Sequence, residues 1–201
     1  TLDGENQVSH LVFIADGARV KIKGITFING NTAEKRSQLN LDNHPQTRLN
    51  VFRYLDGGAM TIGAGSEVVL EDCVFRSNHS AVCGGAISNA GGYLHLTKCL
   101  ISNNTCGDTG AAIDSLARGS LTVIDSCQFS ENEANKLGNG RYGSVTAFPD
   151  TFVIVSNSDF SSENNSTAVD YRPNKNGEVF VALNDECIFN SENPDAVLKN
   201  P

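Results

Sequence analysis

The sequence predicts an all-β chain wound as a right-handed parallel β-helix, a solenoid of about five to six coils with three short strands per coil. Three observations carry this. A large apolar residue recurs as Phe75, Ile101, Phe129, Phe160 and Phe189, at intervals of 26, 28, 31 and 29 residues. Each interval holds short runs whose apolar residues alternate, as in Val68/Leu70 and Leu94/Leu96, the period of two that strands produce. Glycine pairs such as Gly57-Gly58 and Gly84-Gly85 open the clearest units, and a repeat built from helices would not tolerate them there.

The elements follow in chain order. An opening partial unit supplies Val20-Lys21-Ile22 and Ile25-Thr26-Phe27. The next runs Gly57-Gly58-Ala59-Met60, Glu67-Val68-Val69-Leu70, Cys73-Val74-Phe75, Asn78. A third repeats it as Gly84-Gly85-Ala86-Ile87, Tyr93-Leu94-His95-Leu96, Cys99-Leu100-Ile101, Asn104. The fourth reads Gly110-Ala111-Ala112-Ile113, Leu121-Thr122-Val123, Cys127-Gln128-Phe129, Asn132. Two weaker units hold Val153-Ile154-Val155 with Phe160, and Val179-Phe180-Val181 with Phe189. Stacked coils about 4.8 Å apart would align Phe27, Phe75, Ile101, Phe129, Phe160 and Phe189 as one inward ladder. A second would hold Ile25, Cys73, Cys99, Cys127, Ser158 and Cys187. The Asn closing each unit suits a tight turn, through left-handed geometry or side-chain hydrogen bonds.

Bulk properties fit this reading. Of 201 residues, 39% are hydrophobic and only 19% charged, which argues against disorder. With 19 Gly, one Met and no Trp, turn chemistry outweighs helix formers. A net charge of −8 makes nucleic acid a poor partner. No apolar run approaches the roughly 18 residues of a membrane span, so direct membrane insertion is not expected. Residues 1–201 are read as a single β-helix domain cut from a larger protein, because Thr1-Leu2-Asp3-Gly4 reads as the interior of a structured domain.

Phe75-Arg76-Ser77-Asn78 followed by Gly84-Gly85-Ala86-Ile87 resembles the F-x-x-N and G-G-A-I signature of polymorphic outer membrane protein repeats, within the pectate-lyase-like right-handed β-helix superfamily. The opening Thr1-Leu2-Asp3-Gly4 with Gly24-Ile25-Thr26-Phe27 is similar to first coils of that class. The resemblance covers roughly residues 1 to 193 and weakens in the last two units. It implies a secreted or cell-surface protein: a passenger, adhesin, wall or filament component. It is specific for packing and weak for activity.

Cleavage of acidic polysaccharides is the alternative the superfamily raises. It would need clustered carboxylates with a basic residue, or two or three Asp on adjacent coils. Glu67, Glu71, Asp114, Asp125, Asp159, Asp170 and Asp185 are read as outward and scattered. Asp114 and Asp170 share a position after the first strand, but Thr146 or Ala147 intervenes. The four His fall at unrelated repeat positions. No catalytic residue, cofactor or metal site is therefore assigned.

Ladder cysteines are read as buried thiols, small hydrophobes that stack well. Cys83 and Cys106, in the turn before the glycines of neighbouring coils, are the disulfide candidate. Four sequons, at Asn78, Asn103, Asn164 and Asn165, are glycosylation candidates expected in exposed turns. The sharper functional signal is two insertions at one corner of the coil, residues 32–56 and 133–143. They carry Lys35, Arg36, Arg48, Arg53, Lys136 and Arg141, a basic excess in an acidic chain. This points to capture of an anionic polysaccharide or an acidic protein surface. End-to-end self-association or flanking domains are expected as well, since open solenoid ends are templates.

Overall fold

The computed structural model describes residues 1–33, 55–134, 143–162, 167–171 and 179–189. The chain is a parallel β-solenoid of about five turns, with strands in four parallel sheets along its axis. The spine sheet has seven strands: Leu2–Asp3, Thr26–Ile28, Val74–Arg76, Leu100–Ser102, Gln128–Ser130, Asp159–Ser162 and Ile188–Phe189. The outer sheet has six, Arg19–Lys23, Glu67–Glu71, Tyr93–Thr97, Leu121–Asp125, Thr151–Ser156 and Val179–Leu183. A third sheet aligns Val12–Ile14, Met60–Ile62, Ile87–Asn89, Ile113–Ser115, Gly143–Ala147 and Thr167–Tyr171.

Each strand forms where the alternation requires it. In Glu67–Glu71, Val68 and Leu70 are buried while Glu67 is exposed. Register carries this coil to coil, Val20↔Val68↔Leu94 and Ile22↔Leu70↔Leu96. The spine ladder holds as expected: Phe27 pairs with Phe75, Phe75 with Ile101, Ile101 with Phe129 and Phe160 with Phe189. The rings stack where two Phe meet, with centroids 4.6 Å apart for Phe27–Phe75 and 4.4 Å for Phe129–Phe160. Each buried Phe contributes roughly 1.5–3 kcal/mol of burial, with about 0.5–1.5 kcal/mol more per ring pair. In the second ladder Cys73, Cys99 and Cys127 are buried, and Ser158 replaces the thiol by accepting the Cys127 N–H at 3.1 Å.

The turns add two features that the alternation did not carry. Three coils have a fourth strand: His79–Ser80, Thr105–Cys106 and Glu133–Ala134 pair in parallel as a corner sheet. Two residues are too short to show a period. The second concerns the recurring Asn. Left-handed geometry belongs to the residue before it, with φ of 56° at Ser77, 53° at Asn103 and 54° at Glu131. That bend turns Asn78, Asn104 and Asn132 inward, where they form a buried ladder. Asn104 Oδ1 accepts both the backbone N–H and Nδ2 of Asn78 at 3.0 Å, and Asn132 Oδ1 does the same for Asn104. Their Nδ2 groups also donate to the carbonyls of Phe27, Phe75 and Ile101.

Candidate functional site at the insertion corner

Both insertions begin beside the corner sheet. Asn31, just before the first, bridges in parallel to His79, and Ala134 ends the strand just before residues 135–142. The base of the first is closed by hydrogen bonds. Thr32 Oγ1 donates to the Leu55 carbonyl at 2.6 Å, which also accepts Ser80 Oγ at 2.8 Å. The Thr32 N–H reaches the His79 carbonyl and the Ala81 N–H returns to Thr32 Oγ1. After the second insertion, Ala111 N–H donates to the Gly143 carbonyl at 3.0 Å.

Beneath this corner lies a buried polar column on the far face of the third sheet. Register aligns Thr61, Ser88, Asp114, Thr146 and Asp170, all within 1% of full burial. Asp56 is buried beside them: Cys83 N–H donates to its Oδ1 at 2.9 Å, and its Oδ2 has no hydrogen-bond partner among the described residues. Neither carboxylate oxygen of Asp114 has one. Burial pushes the Asp114 carboxyl up to about 8, only partly opposed by the adjacent Ser88 hydroxyl. Burial and then the charge of Asp114 raise Asp56 as well, against the Cys83 N–H. A buried carboxylate without partners is expected to hold its proton. The glycine signature makes room for this arrangement. Gly84 has φ of 64°, and a Cβ there would fall 2.1 Å from Asp114 Oδ1. At Gly85 one would fall 2.0 Å from the Ala111 carbonyl of the next coil.

The expected site residues fare differently. Asp114 and Asp170 are buried, not outward as expected, because both faces of their strands are covered. The outward carboxylates have local work. Glu67 pairs with Arg19 at 3.3 Å, and Glu71 with Lys21 at 3.3 Å and Lys23 at 2.6 Å. Asp125 accepts Ser156 Oγ and Asn157 Nδ2, both at 2.8 Å. The disulfide expected between Cys83 and Cys106 is not formed; both are free, buried thiols. Register sets Cys106 beside Ser80, three residues before Cys83. Burial also raises both thiols, holding them away from the thiolate that exchange requires. Asn78 is not exposed as its sequon suggested: it is 1% exposed and its Nδ2 is bonded in the ladder. Asn103 is exposed. Asn164, Asn165, Lys35, Arg36, Arg48, Arg53, Lys136 and Arg141 lie outside the described residues. Among the described residues, no three His, Cys, Asp or Glu side chains are placed to hold a metal, and no helix is long and apolar enough to cross a membrane.

Stacked coils around one apolar core define a β-solenoid. Residues 72–90 match the Chlamydia polymorphic membrane protein repeat, and the match has a physical content. It spans the Phe75–Asn78 turn that aims Asn78 into its ladder, and the Gly84-Gly85 step that admits Asp114 and the next coil. No curated protein and no solved structure matches the chain.

Proposed function

We propose that this chain is a non-catalytic β-helix scaffold, working outside the cell or on its surface, that presents the insertions 32–56 and 133–143 to a partner. The observation that carries the reading is the shared corner: Asn31 before the first insertion bridges to His79 of the corner sheet, Glu133–Ala134 at the start of the second is a strand of it, and the first insertion's base is tied by Thr32, Leu55 and Ser80. The repeat matched at residues 72–90 supports a surface location. Basic residues in the insertions favour an anionic polysaccharide or an acidic protein surface as the partner. Polysaccharide cleavage is the weaker reading, because Asp114 is sealed from any polymer.

Replacing Lys35, Arg36, Arg48 and Arg53 by Ser is expected to lower retention on a heparin or polygalacturonate column, at unchanged circular dichroism. Unchanged retention would end the loop-capture reading. Incubation with pectate and alginate is expected to release neither unsaturated nor reducing ends.

A further inference from the structure

The outer sheet changes character along the solenoid axis. Its first outward column runs Arg19, Glu67, Tyr93, Leu121, Phe152, Phe180 in register, and the second Lys21, Val69, His95, Val123, Ile154, Ala182. The opening coils are covered by ion pairs. The last two coils instead expose Phe152, Ile154 and Phe180 at 48%, 37% and 53%. The two rings, 6.1 Å apart and inclined at 45°, form one wall of a cleft of about 540 Å³. Arg118 and Asp150 belong to the same cleft. Its turn is fixed by the Gly119 N–H, which donates to the Asp150 carbonyl at 2.8 Å.

Size and charge select the occupant. Two strands about 4.8 Å apart and five residues at about 3.3 Å span on the order of 150 Å², well below the roughly 800 Å² per partner of a stable protein interface. A second copy or a folded protein is therefore too large a claim for this patch. Arg118 and Asp150 carry opposite charges, 3.7 Å apart and well exposed. Their charges cancel, and the chain carries −8, so a uronate or sulfate gains nothing from the field here. Exposed aromatic faces carry negative charge density that attracts polarised C–H groups, while the loosely paired guanidinium and carboxylate offer donors and acceptors to hydroxyls. Pyranose rings with all hydroxyls equatorial present both features at once: axial C–H groups on their faces and hydroxyls at their rim.

We infer that the Phe152/Phe180 cleft is a binding site for neutral, β-linked gluco-configured saccharides, a second surface distinct from the insertion corner. Saturation-transfer NMR on the 201-residue chain with cellotriose, chitotriose and trigalacturonate tests it. Transfer to the axial protons of the neutral trisaccharides is expected, with little to trigalacturonate. Phe152→Ala and Phe180→Ala should each weaken binding about tenfold, and Arg118→Ala by a smaller factor. All three side chains point outward, so melting temperatures should hold. Ser substitution of the four basic residues in the first insertion should leave this binding intact, which separates the site from the loop reading. No transfer from either neutral sugar, equal transfer after both Phe are removed, or preference for trigalacturonate would overturn the inference. So would a concentration-dependent dimer abolished by the Phe substitutions without saccharide transfer, which would assign the patch to a second copy.

Discussion

The solenoid carries two buried polar columns, and they are chemically opposite. Asn78, Asn104 and Asn132 each donate and accept, so every amide bonds to the coil before it, and those of Asn78 and Asn104 also donate to the coil after them. As carboxylates, Asp56 and Asp114 could only accept. Burial, only partly opposed by the adjacent Ser88 hydroxyl, favours the protonated form of Asp114. A repeated amide thus suits the repeat symmetry of a solenoid, because identical groups stacked along an axis can bond to one another. Identical carboxylates cannot. The acidic column is broken by Ser88 and Thr146, which keeps like charges out of adjacent coils.

The largest expected effect comes from breaking the amide column. Asn104→Leu strips the Phe75 carbonyl and the Asn78 N–H of buried partners and should cost on the order of 4 kcal/mol, read as a lower urea midpoint at constant slope. Asp114→Asn sharpens the contrast with opposite sign. The folded chain holds the Asp114 proton between its unfolded value near 3.8 and about 8, while the unfolded chain has released it. That contribution to stability is therefore full below about pH 4, falls as pH rises through this window and levels above it. Stability of the Asn variant relative to the parent should rise by about 3 kcal/mol from pH 5 to pH 8, measured by denaturant titration at both. A flat difference would show that Asp114 is ionised in the fold. Gly84→Ala places a Cβ against Asp114 Oδ1 at a left-handed φ and should cost roughly 2 kcal/mol, part of it recovered when Asp114→Ala is added. Glu71→Gln, on the solvated sheet, should leave the melting temperature unchanged.

Much of the fold was legible because a strand facing one core writes its pattern at period two. The spine from Phe27 to Phe189 and the Cys73–Cys99–Cys127–Ser158 ladder follow directly from that. The third sheet is different. In Ile87–Asn89 and Ile113–Ser115 every residue is buried, so alternation there separates an apolar core from a polar interior, not protein from water. Asp114 was misread as outward for this reason. Asn78 was misread as a glycan acceptor because a sequon reports residue types, while the bend at Ser77 decides which way the amide points. The exposed aromatics at Phe152 and Phe180 stood in plain view in the sequence. Only register showed that they extend one column whose earlier members are Arg19 and Glu67.

The knot of hydrogen bonds joining Thr32, Leu55 and Ser80 has a consequence for variation. It fixes the two ends of the first insertion independently of what lies between them. In a segment whose ends are closed this way, each doubling of length adds only about 0.6 kcal/mol of closure entropy. The corner can therefore take insertions of different length while the coils below keep their register.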